Sequence, residues 1–177
     1  MITTTLSKEV LSKYLNPYFL ETGTANADCV RLALEVGFTK IFSIELDESL
    51  QKENIQKYQP FIDSGRINLV TGDSLRELSN IVPFLDKPTT FWLDAHQDFG
   101  PKGTKRCPLY EELGAIKSSN IKTHTILIDD MRMLGQWWGE GISVDELKER
   151  ILEINPSYKF TFQNGFAPSD ILIAHVA

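Results

Sequence analysis

The sequence is poor in the features that mark several protein classes. Basic residues are outnumbered: 18 Lys and Arg stand against 24 Asp and Glu, a formal charge of −6. That sign disfavours a sequence-independent partner of nucleic acid or of an anionic membrane surface. No apolar run approaches the roughly 20 residues of a membrane-spanning helix. The opening MITTTLSKEVLSKYLNPY lacks an apolar stretch of export-signal length, so a cytoplasmic protein is expected. Only Cys29 and Cys107 are available as thiols. They make neither a disulfide framework nor a zinc knuckle, and unpaired thiols are expected although pairing stays open. Internal repeats and low-complexity tracts are absent.

What is present is ordinary globular composition. The chain has 177 residues, 42% hydrophobic and 24% charged, enough for one domain with a large core and no staples. Leu6, Val10, Leu11 and Leu15 predict a short amphipathic helix over 5–15, stopped by Asn16-Pro17. Residues 1–16 are therefore set apart as an N-terminal helix and 17–177 as the main domain.

From there strands and helices alternate. Strands are predicted at 18–23, 41–45, 67–70, 90–94 and 125–129. Helices are predicted at 27–36, 48–58, 74–82, 109–118 and 143–154, the last with Ser143 and Glu146 in a capping-box pattern. Strands at 158–162 and 171–176 close the chain with no helix between them. Apolar strands alternating with helices indicate a mostly parallel sheet covered on both faces. A short final connection requires antiparallel neighbours, so one reversed strand is expected at the C-terminal end.

Ligands of such sheets bind outside the carboxyl ends of the strands. Each of the first five strands ends in or beside an acid: Glu21, Glu45, Asp73, Asp94 and Asp129-Asp130. Any one alone is readable as a helix cap or turn residue. Together on one edge they suit cations or hydroxyl-rich ligands. Gly23 follows the first strand and allows a sharp turn beside a ligand. The loop is not G-x-G-x-x-G, which disfavours a dinucleotide pyrophosphate. Glu45 lies roughly 20 residues further on, where an acid accepts ribose hydroxyls. Asp73 in Gly72-Asp73-Ser74 is placed for an adenine edge. These suit a nucleoside-bearing ligand without a pyrophosphate.

The loop Glu21-Thr22-Gly23-Thr24, Ser43-Ile44-Glu45, Gly72-Asp73-Ser74, Phe91-Trp92-Leu93-Asp94 and the closing hairpin resemble the class I S-adenosylmethionine (SAM)-dependent methyltransferases. The resemblance covers residues 18–177. It implies a Rossmann-like three-layer sandwich with strand order 3-2-1-4-5-7-6 and strand 7 antiparallel. It also implies cofactor contacts at Glu21, Gly23, Thr24, Glu45, Asp73, Ser74 and Asp94. Thr24 and Ala25 stand where the family usually has more glycine.

With strands 4 and 5 adjacent in that order, Asp94, Asp129 and Asp130 converge, an oxygen set suited to Mg²⁺. This is similar to the Mg²⁺-dependent macrocin-type O-methyltransferases of sugar and antibiotic biosynthesis. The plainer reading is that Asp129 and Asp130 cap a loop and pair with Arg132. The implied chemistry is methyl transfer to a hydroxyl, with the cation lowering the hydroxyl pKa and His96 as general base, Asp94 being its rival. His124 and His175, in or beside strands, are expected to be structural, and Phe91, Trp92 and Leu93 to be core.

Two loops complete the reading. Residues 97–106, with Lys102 and Arg106, suit either a mobile lid over a polar acceptor or an exposed loop. Trp137-Trp138 suit either stacking on an acceptor or anchoring an interface. The expected function is O-methylation of a small hydroxylated, saccharide-like acceptor. The alternative is a non-catalytic SAM-binding or scaffold protein on the same fold. Another nucleotide-binding α/β enzyme is a weaker reading, since the dinucleotide glycines are missing. Little chain lies outside the core, so the acceptor pocket must draw on the N-terminal helix, the two loops or a second subunit.

Overall fold

Apolar runs too short for a helix and rich in Phe, Ile and Leu form the strands: β1 (Tyr18–Thr22), β2 (Lys40–Glu45), β3 (Ile67–Thr71), β4 (Thr89–Leu93), β5 (Thr125–Ile128), β6 (Tyr158–Gln163) and β7 (Ile171–Val176). The helices are α1 (Lys8–Lys13), α2 (Asp28–Val36), α3 (Glu48–Asp63), α4 (Ser74–Ile81), α5 (Leu109–Lys117) and α6 (Val144–Ile154). These come from a computed structural model, which describes residues 4–96, 107–136, 139 and 141–176.

The seven strands form one sheet in the order β3-β2-β1-β4-β5-β7-β6. β1 runs parallel to β2 and β4, β2 to β3, and β4 to β5. β7 is antiparallel to both β5 and β6. This is the expected three-layer architecture. On one face Leu20, Phe42, Phe91, Leu93, Ile126 and Leu172 pack against Leu78 of α4, Leu113 of α5 and Ile151 of α6. On the other, Phe19, Ile41, Trp92, Leu127 and Ile173 pack against Leu11 of α1, Val30 of α2 and Tyr58 of α3. Phe91, Trp92 and Leu93 are fully buried, as expected.

Local chemistry sets the element ends. The Ser7 hydroxyl accepts the Val10 N–H, so α1 starts later than its apolar spacing predicts. The capping box at Ser143 and Glu146 is formed. α3 runs past the predicted end at Tyr58 to Asp63, with Pro60 in its last turns. Proline there removes one backbone donor, while Tyr58 and Ile62 still bury against the sheet. Leu6, Leu11 and Tyr14 of the N-terminal segment are buried in the same cluster as the sheet residues. Both cysteines are buried thiols outside any disulfide. Among the described residues no helix is long and apolar enough to cross a membrane.

Candidate cofactor and cation site

β1 is the point where the strand order reverses: the chain leaves it toward β2 and β3, then crosses back to β4. The crevice above such a point is where open α/β sheets bind ligands. The turn leaving β1 is built for close approach. The N–H groups of Gly23 and Thr24 both donate to the Ile44 carbonyl, at 2.9 and 3.2 Å. Gly23 has φ +85°, and a Cβ there would lie 2.5 Å from the Asp94 carbonyl oxygen. Only glycine fits. Ala25 and Ala27 continue the loop with φ of +44° and +59°. Ala25 thus takes up left-handed backbone where the family resemblance implies glycine, a strain of a kind concentrated at ligand sites.

Above this turn lies a cavity of about 260 Å³ whose walls include Gly23, Glu45, Asp73, Ser74, Asp94 and His96. A smaller one of about 50 Å³ shares Gly23, Ala25 and Asp94 with it, and is closed by Thr4, Thr24, Asp28 and Cys29. Glu45 is held rigidly: Oε2 accepts the Ala25 N–H at 2.8 Å and Oε1 the Asp47 N–H at 2.9 Å. Each carboxylate oxygen keeps a second acceptor position, so the group suits a pair of vicinal hydroxyls. Asp73 Oδ1 caps α4 through the Leu75 N–H at 3.0 Å. Ser74 opens that helix. A glycine cradle, a fixed acid and the rim of a helix start together fit an adenosyl ligand.

Two of the expected cofactor residues sit elsewhere. Glu21 is fully buried and lies beneath the loop rather than on the cavity wall. It accepts the Ser43 hydroxyl at 2.6 Å, and Ser43 is 2.6 Å from the Thr24 hydroxyl. Burial pushes the Glu21 carboxyl up to about 8, with the Ser43 hydrogen bond pulling the other way. Thr24 is turned into this buried chain and touches only the smaller cavity. Glu21 supports the loop from below because it shares with Phe19 the strand face that packs on α2, and Thr24 does so through its hydroxyl contact with Ser43.

Sequence reasoning missed three supports. Gln51 donates to the Val70 carbonyl at 2.9 Å, and Asn54 to the Ala25 carbonyl at 2.8 Å. Glu112 of α5 is fully buried beside Thr22 and Ser74, and burial pushes its carboxyl up to about 7. The signal for Glu112 was its place among Leu109, Leu113 and Ile116: an acid on the apolar stripe of a helix.

The acids after β4 and β5 do gather, but as two overlapping groups. Asp94, His96 and Asp130 form one, and Asp129, Asp130 and Asp170 the other. Asp129 is buried; its Oδ2 accepts the Thr5 hydroxyl at 2.5 Å and its Oδ1 the Asp130 N–H at 2.8 Å. Burial lifts its pKa to about 6. Arg132 pairs with Asp130 at 2.6 Å and with the buried Asp170. The plainer sequence reading, pairing with Arg132, is therefore met by Asp130 alone; Asp129 turns to Thr5 instead, and Asp170 is the second partner of the guanidinium. In the first group, His96 Nδ1 lies 3.9 Å from both Asp94 Oδ1 and Asp130 Oδ2. Desolvation pulls the imidazole down to about 3, so it is neutral at ordinary pH. Burial, with Asp129 and Asp130 nearby, holds Asp94 well above the usual carboxylate range.

His124 is structural as expected: its Nδ1 accepts the Thr89 N–H at 3.1 Å and its Nε2 faces the Ser119 hydroxyl at 2.9 Å. His175, in β7, packs on the Tyr14 ring. Lys102 and Arg106 of the proposed lid, and Trp137 and Trp138, lie outside the described residues.

The strand order and crevice define the class I methyltransferase fold. An O-methyltransferase from Bacillus cereus solved with SAH superposes with a TM-score of 0.66 at 14% identity, over 96% of this chain and 78% of that one. The O-methyltransferase TomG from Streptomyces achromogenes, involved in tomaymycin synthesis and solved with SAM, gives 0.64 at 12% identity, over 96% and 77%. The SAH-bound methyltransferase PaMTH1 from Podospora anserina gives 0.65 at 10% identity, over 98% and 80%. No family model and no curated protein matches the sequence.

Proposed function

We propose that this chain is a SAM-dependent methyltransferase acting on a hydroxyl of a small, saccharide-like acceptor, with a divalent cation held at the acids after β4 and β5. The observation that carries this reading is the crevice itself. Gly23 opens the backbone at the strand switch point, Glu45 is fixed at the next strand end, and Asp73 and Ser74 border the same cavity. SAM supplies an electrophilic sulfonium methyl group, so the chain's task is to position and deprotonate a weak nucleophile. Asp94 lies at the junction of both cavities and beside the acids of β5. It is the group that takes the hydroxyl proton, in preference to the neutral and weakly basic His96. The solved neighbours support the reading through their SAM and SAH complexes.

The test is transfer of label from methyl-labelled SAM to a panel of small sugars and glycosides, with Asp94→Asn as control. Product from the wild type that is lost in the variant supports the reading. No product from a chain that binds SAM would overturn the acceptor class. Failure to bind SAM would remove the cofactor assignment. Undiminished transfer in excess EDTA would remove the cation.

A further inference from the structure

One buried acid lies beside the cofactor cavity and takes no part in the proposed chemistry. Glu112 sits one turn inside α5, past the cap residue Pro108 on the cavity wall. It is fully buried, like Leu109 and Ile116 of the same helix. Neither of its oxygens has a partner at full hydrogen-bond geometry. The hydroxyls beside it are those of Ser74, at the head of α4, and Thr22, at the end of β1. Ser74 borders the cavity. Thr22 shares with Leu20 the sheet face that α4 and α5 cover. A buried carboxyl group without partners is rare in a folded protein and calls for a role.

The groups around it impose an order of donors and acceptors. The Asp94 N–H can only donate, and it is shared between the Thr22 carbonyl at 3.2 Å and the Thr22 hydroxyl at 3.3 Å. The Thr22 oxygen accepts there, so its own O–H is left to donate toward Glu112. A carboxylic acid accepts through one oxygen and donates through the other, whereas a carboxylate only accepts. With its proton, Glu112 takes the Thr22 O–H and gives its own to Ser74, and the Ser74 O–H is released to the cavity. Without it, both hydroxyls turn to the carboxylate, and Ser74 offers the cavity lone pairs alone. Burial favours the protonated form, and so do the charges of Asp73, ahead of Ser74, and Glu111, on the same helix. On α6, Glu146 and Arg150 are engaged with Tyr110. Glu21 of β1 belongs to the other face of the sheet.

We propose that Glu112 is a positioning residue for the cofactor, making the Ser74 hydroxyl a hydrogen-bond donor toward a ring nitrogen of the adenine. The inference deepens the proposed function and rests on it. Adenine presents a ring-nitrogen acceptor beside its amino donor. The Asp73 carboxylate and a donating Ser74 hydroxyl, adjacent on the cavity wall, match that pair. Glu112 touches neither the cofactor nor the reacting atoms; it acts through Ser74.

The probe is SAH, titrated calorimetrically into the full chain at pH 6 and at pH 8.5. The Glu112 carboxyl, pushed up to about 7, changes form between these values, and binding that needs its proton weakens as pH rises. Wild-type affinity should fall over this range at least fivefold more than that of Glu112→Gln, whose amide N–H keeps donating to Ser74 at both values. At pH 6 Glu112→Gln should bind within threefold of wild type. Ser74→Ala should lose the extra pH dependence although Glu112 is intact, a readout that a role in packing alone would not move. Titration of SAH itself and of Glu21 is common to all three proteins and cancels; far-ultraviolet circular dichroism reports folding. Equal pH dependence in wild type and Glu112→Gln would overturn the proposal, as would wild-type pH dependence in a folded Ser74→Ala chain. Either result leaves the cofactor reading standing. A wild type that binds no SAH at either pH removes both.

Discussion

Gly23→Ala puts the cofactor cradle to a quantitative test. The residue has φ +85°, and an added Cβ would stand 2.5 Å from the Asp94 carbonyl oxygen. Left-handed backbone costs a non-glycine residue roughly 1–2 kcal/mol. Forcing a methyl group into a packed site costs about 1–3 kcal/mol more. The obstacle is backbone of the adjoining strand end, so it cannot rotate away. The summed destabilisation is about 2–5 kcal/mol, a large share of the ~5–15 kcal/mol that holds a domain folded. Gly37→Ala supplies the comparison, because Gly37 has φ +105° with nothing within 4 Å of its Cβ position. It should show the backbone cost alone. The assay is urea unfolding of wild type and both variants, followed by SAH titration of each folded protein. Gly23→Ala should lose more stability than Gly37→Ala and alone should weaken SAH. Equal losses, or SAH affinity unchanged in Gly23→Ala, would refute the close approach of β1 and β4 at the cavity.

Further predictions concern the supports. Glu21 and Glu112 carry folded pKa values of about 8 and about 7, both raised chiefly by burial. Each holds its proton in the folded protein over a range where the unfolded chain has lost it, so stability falls as pH rises from the unfolded value to the folded one. His124, held down to about 4, acts in the opposite sense and only below about pH 6.5. The melting temperature should therefore drop between about pH 6.5 and 8, chiefly through Glu21, and Glu21→Gln should flatten the drop. A flat wild-type profile contradicts the burial of these acids. Leu11→Ala should cost about 2–5 kcal/mol in urea unfolding, the range for emptying a fully buried leucine site. A cost below 1 kcal/mol would mean that α1 is not docked on the sheet. Thr5→Val removes the hydrogen bond to Asp129 and should cost about 1–3 kcal/mol, with Thr5→Ser retaining most of it. Equal stability of Thr5→Val and wild type would show that the contact is not made.

The layered architecture was legible because parallel strands buried on both faces read as short apolar runs, and because Tyr158–Gln163 and Ile171–Val176 leave no room for a crossover helix. Strand-end acids were legible as a group for the same topological reason. Their individual directions were not. Asp129 is turned away by Thr5, a partner 124 positions distant in the chain, and no local pattern announces such a contact. Glu21, implied as a cofactor contact by the resemblance, lies beneath the loop because the end of β1 is fully buried, Thr22 included, and the cavity opens only from Gly23 onward. The full length of α3 was hidden by Pro60, a residue type that ordinarily ends helices, although Tyr58 and Ile62 on either side of it pack on the sheet. Glu112 was readable in principle, as a charge on an apolar helical stripe, and was overlooked.

The most direct measurement is calorimetric titration of SAH into wild type, Glu45→Gln and Glu45→Ala. The wild type should take up one SAH per chain. Glu45→Ala should bind at least tenfold more weakly, since it removes the acceptor that the Ala25 and Asp47 N–H groups hold in place, and hydrogen bonds to a charged group are worth about 1.5–3 kcal/mol each. Glu45→Gln should fall between. Heat traces showing no uptake by wild type, or equal affinity in all three proteins, would contradict an adenosyl pocket at this end of the sheet.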